Sequence, residues 1–152
     1  MSWFVYCLKH YAQFSGRAGR PEYWWMYWVT VGIGVVLYLL SALSPLFNWL
    51  NWLTTVAFFI PSLAVAARRL HDTGHSLWWF GAWNLALIPL GAVGLYAKAY
   101  MPDPLSSPGL GLFVALYLLA WLVLALWITY LLCKRGDAGA NRFGEPGPVS
   151  PG

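Results

Sequence analysis

"LFVALYLLAWLVLALWITYLL", residues 112–132, decides what kind of protein this is. It holds no Asp, Glu, Lys, Arg or His. At ~1.5 Å per helical residue it crosses the ~30 Å hydrocarbon core of a bilayer. Backbone donors and acceptors in lipid find no water and must be paired within the segment. The run is therefore read as a transmembrane helix.

Three more segments share its character. Residues 24–43, 46–67 and 77–96 are long, apolar and free of ionisable side chains, and the fourth extends over 110–133. The whole composition agrees: 60% of the 152 residues are hydrophobic and only 9% are charged, against about 25% in soluble domains. So few charges cannot clothe a water-facing surface. The expectation is an all-α, four-transmembrane-helix bundle in a single domain over 1–144. Pro61 and Pro89 each remove a backbone donor and crowd the Ala57 and Leu85 carbonyls, so kinks are expected there.

Charge sidedness then orients the spans. Lys9, Arg17 and Arg20 precede the first; Arg68 and Arg69 follow the second; Lys134, Arg135 and Arg142 follow the fourth. The opposite side receives only Lys98. The positive-inside rule makes the basic side cytoplasmic, with both termini inside. Trp24, Trp25, Trp78 and Trp79 fall at the cytoplasmic ends of their spans, where amphipathic rings favour the headgroup layer.

The pieces between spans differ in kind. No cleavable signal peptide is expected over 1–13. Trp3, Cys7, Tyr11 and Phe14 recur near helical spacing, which suggests a short N-terminal interfacial helix. "KAYMPDPLSSPG" (98–109) reads as a periplasmic or extracellular loop. "EPGPVSPG" (145–152) reads as a disordered tail. Cys7 and Cys133 lack metal-ligand spacing and, on the cytoplasmic side, are expected to be free thiols.

"RRLHDTGH" (68–75) sets two arginines, two histidines and an aspartate within eight residues. If the second helix runs through Asp72, Arg68 and Asp72 stand at i, i+4 and Arg69 and Asp72 at i, i+3, both suited to an ion pair. Gly74 is placed to end that helix. His71, Asp72 and His75 could ligate a divalent ion, although metal sites usually need further ligands; a polar hinge is the favoured reading. Asp72 beside His71 resembles a base with an orienting carboxylate, but no nucleophile elbow accompanies them.

"FSGRAGRPEYWW" (14–25) supplies Pro21 and Glu22 for the first turn of span one. It leaves Arg17 and Arg20 for lipid phosphate, or for Asp72 and Asp137. None of the spans carries an ionisable residue for a charge pathway. Asn84, mid-span, is read as an interhelical hydrogen bond.

Three stretches carry a resemblance: "FSGRAGRPEYWW", "PSLAVAARRLHDTGHSLWW" (61–79) and "GANRFGEPGP" (139–148). In order and spacing they resemble domain-of-unknown-function family 805, the YhaH-like small bacterial inner-membrane proteins. Leu77 stands where members commonly have glycine. The resemblance implies four spans in the bacterial cytoplasmic membrane and a shared core that includes Gly16, Gly139, Asn141 and Gly144. It supplies no catalytic residue.

The leading expectation is a non-enzymatic membrane protein with a cytoplasmic polar plate. That plate binds anionic lipid headgroups or a partner through Arg17, Arg20, Glu22, Arg68, Arg69, His71, Asp72, Asn141 and Arg142. A membrane-protein partner or a homo-oligomer fits the same surface; no cofactor and no nucleic acid is implied. The alternatives are an enzyme or metal protein using His71, Asp72 and His75, and an oligomeric channel or carrier for a neutral solute.

Overall fold

The computed structural model describes residues 2–100 and 108–147. Among these the protein is all helical apart from one isolated bridge between Asn141 and Gly144. Four helical segments are long and apolar enough to cross a membrane: Arg20–Leu40, Pro45–Asp72, Trp78–Ala97 and Pro108–Cys133. Their outward faces suit lipid: Trp49 is 72% exposed, Tyr38 68% and Leu126 62%. The 98–109 loop lies mostly outside the described residues, as do residues 148–152 of the tail.

The first compact unit joins residues 1–77 to 132–152. Helix α1 (Trp3–Lys9) starts at Ser2, whose hydroxyl accepts from the Val5 amide at 3.4 Å. It is shorter than its apolar spacing suggested, because His10 caps it and leaves Tyr11 and Phe14 exposed. Its inner face packs Cys7 against α2 (Arg20–Leu40), and Phe4 meets Phe58 of α3 at 5.8 Å. As expected, Pro21 and Glu22 occupy the first turn of α2.

Helix α3 (Pro45–Asp72) is capped by Ser44 and remains one helix across Pro61. Small residues Ala64, Ala66 and Ala67 are buried; such residues let membrane helices approach closely. The expected span ended at residue 67, but the helix continues through the charged residues to Asp72. Arg68, Arg69 and Asp72 have partners inside the protein, so nothing compels the backbone to stop where lipid does.

The end of α3 is closed by local geometry. The His75 amide donates to the Leu70 carbonyl at 2.9 Å and the Gly74 amide to the His71 carbonyl at 3.1 Å. This Schellman pattern needs a left-handed residue between them, and Gly74 has φ +76°.

The second unit is Trp78–Leu131. Here α4 (Trp78–Leu85) and α5 (Leu87–Tyr100) are separated at Ala86, and α6 (Pro108–Cys133) supplies the remainder. The break falls beside the Leu85 carbonyl that Pro89 cannot serve, so this proline interrupts its helix where Pro61 does not. Asn84, expected to bridge helices, donates from its Nδ2 to the Phe80 carbonyl one turn back.

Candidate functional site

Three stretches far apart in sequence converge at Asp72, the last residue of α3. Oδ1 accepts from Arg17 Nε at 2.9 Å, and Oδ2 accepts from Arg69 Nη1 at 2.5 Å. The Asp72 carbonyl accepts the Asp137 amide at 2.8 Å, and the Arg68 carbonyl accepts the Ala18 amide at 2.9 Å. The loop before α2, the end of α3 and the segment after α6 are thereby fastened together.

The two arginines finish the clasp with their remaining donors. Arg17 Nη1 donates to the Gly139 carbonyl at 2.6 Å and to Gly144 at 3.3 Å, while Nη2 reaches the Asp137 carbonyl. Arg69 Nε donates to the Leu132 carbonyl at 3.0 Å and Nη2 to that of Lys134. The last carbonyls of a helix lack intrahelical partners and carry partial negative charge. A cation at the end of α6 answers both needs. Arg69 is 0% exposed, Arg17 4% and Asp72 7%.

A second buried pair lies alongside. Arg68 Nη1 bonds Glu22 Oε1, and both side chains are almost wholly enclosed. Sequence spacing allowed Arg68 to pair with Asp72, but its partner is Glu22 on α2. Glu22 Oε2 and Arg68 Nε and Nη2 have no partner among the described residues. The Cys7 thiol donates to the Glu22 carbonyl at 3.5 Å and lies 4.0 Å from Oε1. Burial, reinforced by the Glu22 carboxylate, pushes this thiol up to about 12 against the opposing pull of Arg68. Cys7 is therefore a weak nucleophile, since the reactive form is the thiolate.

The remaining predicted residues complete the layer. His71 Nδ1 lies 3.1 Å from the Gly16 carbonyl, and its ring stacks on Phe143 at 3.9 Å. Asn141 Nδ2 donates to the His71 carbonyl and to Asp137 Oδ2, each at 2.9 Å. Arg142 Nη2 donates to the Gly74 carbonyl at 3.0 Å while its guanidinium lies over the Phe143 ring. Arg20 is exposed. Close approach also demands glycine: a Cβ on Gly136 would overlap the Asp72 carboxylate, and one on Gly147 would lie 2.6 Å from the Arg17 carbonyl. The tail expected over 145–152 is thus placed as far as Gly147.

This arrangement does not bring His71, Asp72 and His75 to a common point. His75 Nδ1 lies 2.6 Å from the Thr73 carbonyl, His71 serves Gly16, and both Asp72 oxygens face arginines. Among the described residues no three His, Cys, Asp or Glu are grouped to hold a metal ion. The contacts of Cys7, Phe143, Gly136 and Gly147 were not foreseen from the sequence. An aromatic residue in an otherwise polar stretch was the one available hint for Phe143.

Residues 11–145 match the family described as "Protein of unknown function (DUF805)", a range that takes in the whole clasp. The inner membrane protein YhaI of Escherichia coli (strain K12) is 32% identical over 146 residues, covering 95% of this chain and 94% of that protein. The inner membrane protein YhaH of the same strain is 28% identical over 159 residues, covering 99% and 100%. No solved structure matches the chain.

Proposed function

The chain belongs to the DUF805 family, and from that premise we propose that this bacterial inner-membrane protein is non-enzymatic and binds anionic lipid headgroups on its cytoplasmic side. Both termini lie in the cytoplasm. The observation that carries the reading is a division among the basic residues. Arg17, Arg68 and Arg69 are buried and engaged internally, so their role is to hold the plate together. Lys9, Arg20, Lys134, Arg135 and Arg142 are exposed, against the exposed Asp137 and Glu145. The binding surface is this second set, carried on a frame made by the first.

Each Lys or Arg near an anionic bilayer surface is worth about 1 kcal/mol, so several acting together retain such lipids selectively. The detergent-purified chain is expected to keep phosphatidylglycerol in native mass spectra. A variant with Lys9, Arg20, Lys134 and Arg135 all changed to Gln should lose most of it while keeping its thermal stability. Equal retention by the two proteins would sink the proposal. Reporter fusions at Met101 and Gly152 test the orientation: they should report opposite sides of the membrane, with Gly152 cytoplasmic.

A further inference from the structure

The second unit contains a cavity of about 150 Å³, lined by Ala86, Tyr117, Ala120, Trp121 and Leu124. It opens where the chain between α4 and α5 leaves helical form. The Tyr117 hydroxyl, which could have served an incoming polar group, already donates to the Ala86 carbonyl. The Trp121 ring stacks on Trp83 with centroids 5.6 Å apart. Both indole nitrogens are buried and find no acceptor among the described residues.

These features describe what would fit. An indole N–H is a donor only, and within a bilayer core there is no bulk water to accept from it. A half-open apolar hollow of this volume has room for a single six-membered ring. No lining residue carries a charge to offset that of an ionised ligand, which would be expensive to bring into the hydrocarbon layer. The part of the occupant that enters must therefore be uncharged, no larger than about one ring and able to supply an acceptor, on a molecule that resides in the membrane.

We propose that this cavity binds the carbonyl-bearing ring of a lipid-soluble quinone-class molecule, with Trp121 Nε1 donating to the carbonyl oxygen. A phospholipid ester carbonyl offers the same acceptor from a second source. The site lies wholly within the second unit and does not depend on headgroup binding by the first.

The test is equilibrium binding of a decyl-tailed benzoquinone to the full chain in nanodiscs, made in parallel from ester-linked and ether-linked phosphatidylcholine. Saturable binding is expected, weakened about tenfold by Trp121→Phe, the loss of one hydrogen bond in apolar surroundings. It should be abolished by Ala120→Phe, which fills the cavity. Trp121→Phe retains a ring at the wall, and its fold is checked by circular dichroism. Equal binding in both lipids identifies the quinone as occupant. Binding confined to ether-linked discs identifies the lipid ester carbonyl, which vacates the site only there. No saturable binding in either lipid overturns the proposal, and so does binding that Trp121→Phe leaves unchanged.

Discussion

Arg17 and Asp72 stand 55 positions apart in the chain yet meet at 2.9 Å, the Arg17 Nε donating to Asp72 Oδ1. This contact fastens the loop that precedes α2 to the residue that ends α3. Because Asp72 also accepts from Arg69, one carboxylate serves two buried guanidinium groups.

Removing that carboxylate should be severe. Breaking a buried ion pair by deleting one partner typically costs about 3–5 kcal/mol, because a charge is left without compensation. Asp72→Ala is expected to unfold at a markedly lower temperature than the unaltered protein, read as monodisperse protein surviving a heating series. Arg17→Lys should recover little, since an ammonium cannot reproduce the planar fork that reaches Asp72, Gly139 and Asp137 together. Wild-type survival of Asp72→Ala would mean the clasp contributes nothing to stability.

The Glu22–Arg68 pair should behave differently when both partners are replaced. Glu22→Leu and Arg68→Met are each expected to destabilise by about 3–5 kcal/mol, whereas the double variant should approach the original stability. A thermal or denaturant double-mutant cycle measures the coupling. Additive losses would show that the two side chains do not depend on one another.

Cys7 carries a pH signature. Its thiol is held up to about 12 in the folded protein, against 9.0 for a free thiol. Below about pH 9 both folded and unfolded chains keep the proton, and the group is silent. Above it the unfolded chain releases the proton and the folded one does not, so stability falls as pH rises through that window. Cys7→Ala should flatten this part of the stability profile. Maleimide should also modify exposed Cys133 well before Cys7; equal labelling rates would contradict the burial.

The glycines of the C-terminal segment divide sharply. Gly136→Ala drives a methyl group into the Asp72 carboxylate, while a Cβ on Gly139 meets nothing within 4 Å. The first substitution should cost about 1–3 kcal/mol by overpacking and the second very little. A comparison of melting temperatures distinguishes them, and equal effects would argue against the packing of Gly136 on Asp72.

The membrane spans were legible in the sequence because lipid imposes a requirement that composition alone can meet or fail. The convergence of the three charged stretches was partly legible: the i, i+3 pairing of Arg69 with Asp72 follows from spacing, whereas Arg17 was only one of the cations open to Asp72, with lipid phosphate as its other option. The division of labour between Arg68 and Arg69 was not. Adjacent residues on a helix point about 100° apart, and only the position of α2 sends Arg68 to Glu22. The roles of Cys7 and Phe143 were hidden for the same reason, since their neighbours come from distant parts of the chain. Pro61 and Pro89 offered identical local signals, yet only the second coincides with a break between helices.

Arg69 gripping the Leu132 and Lys134 carbonyls has a consequence for biogenesis. Synthesis runs from the N-terminus, so Arg17, Arg69 and Asp72 leave the ribosome long before residues 132–144. Until those residues arrive, the guanidinium donors that will meet carbonyls of the last segment have no such acceptors. A nascent chain truncated before Leu132 would therefore expose unmet cationic donors at the headgroup boundary, giving a quality-control factor a chemical means of telling it from the completed protein.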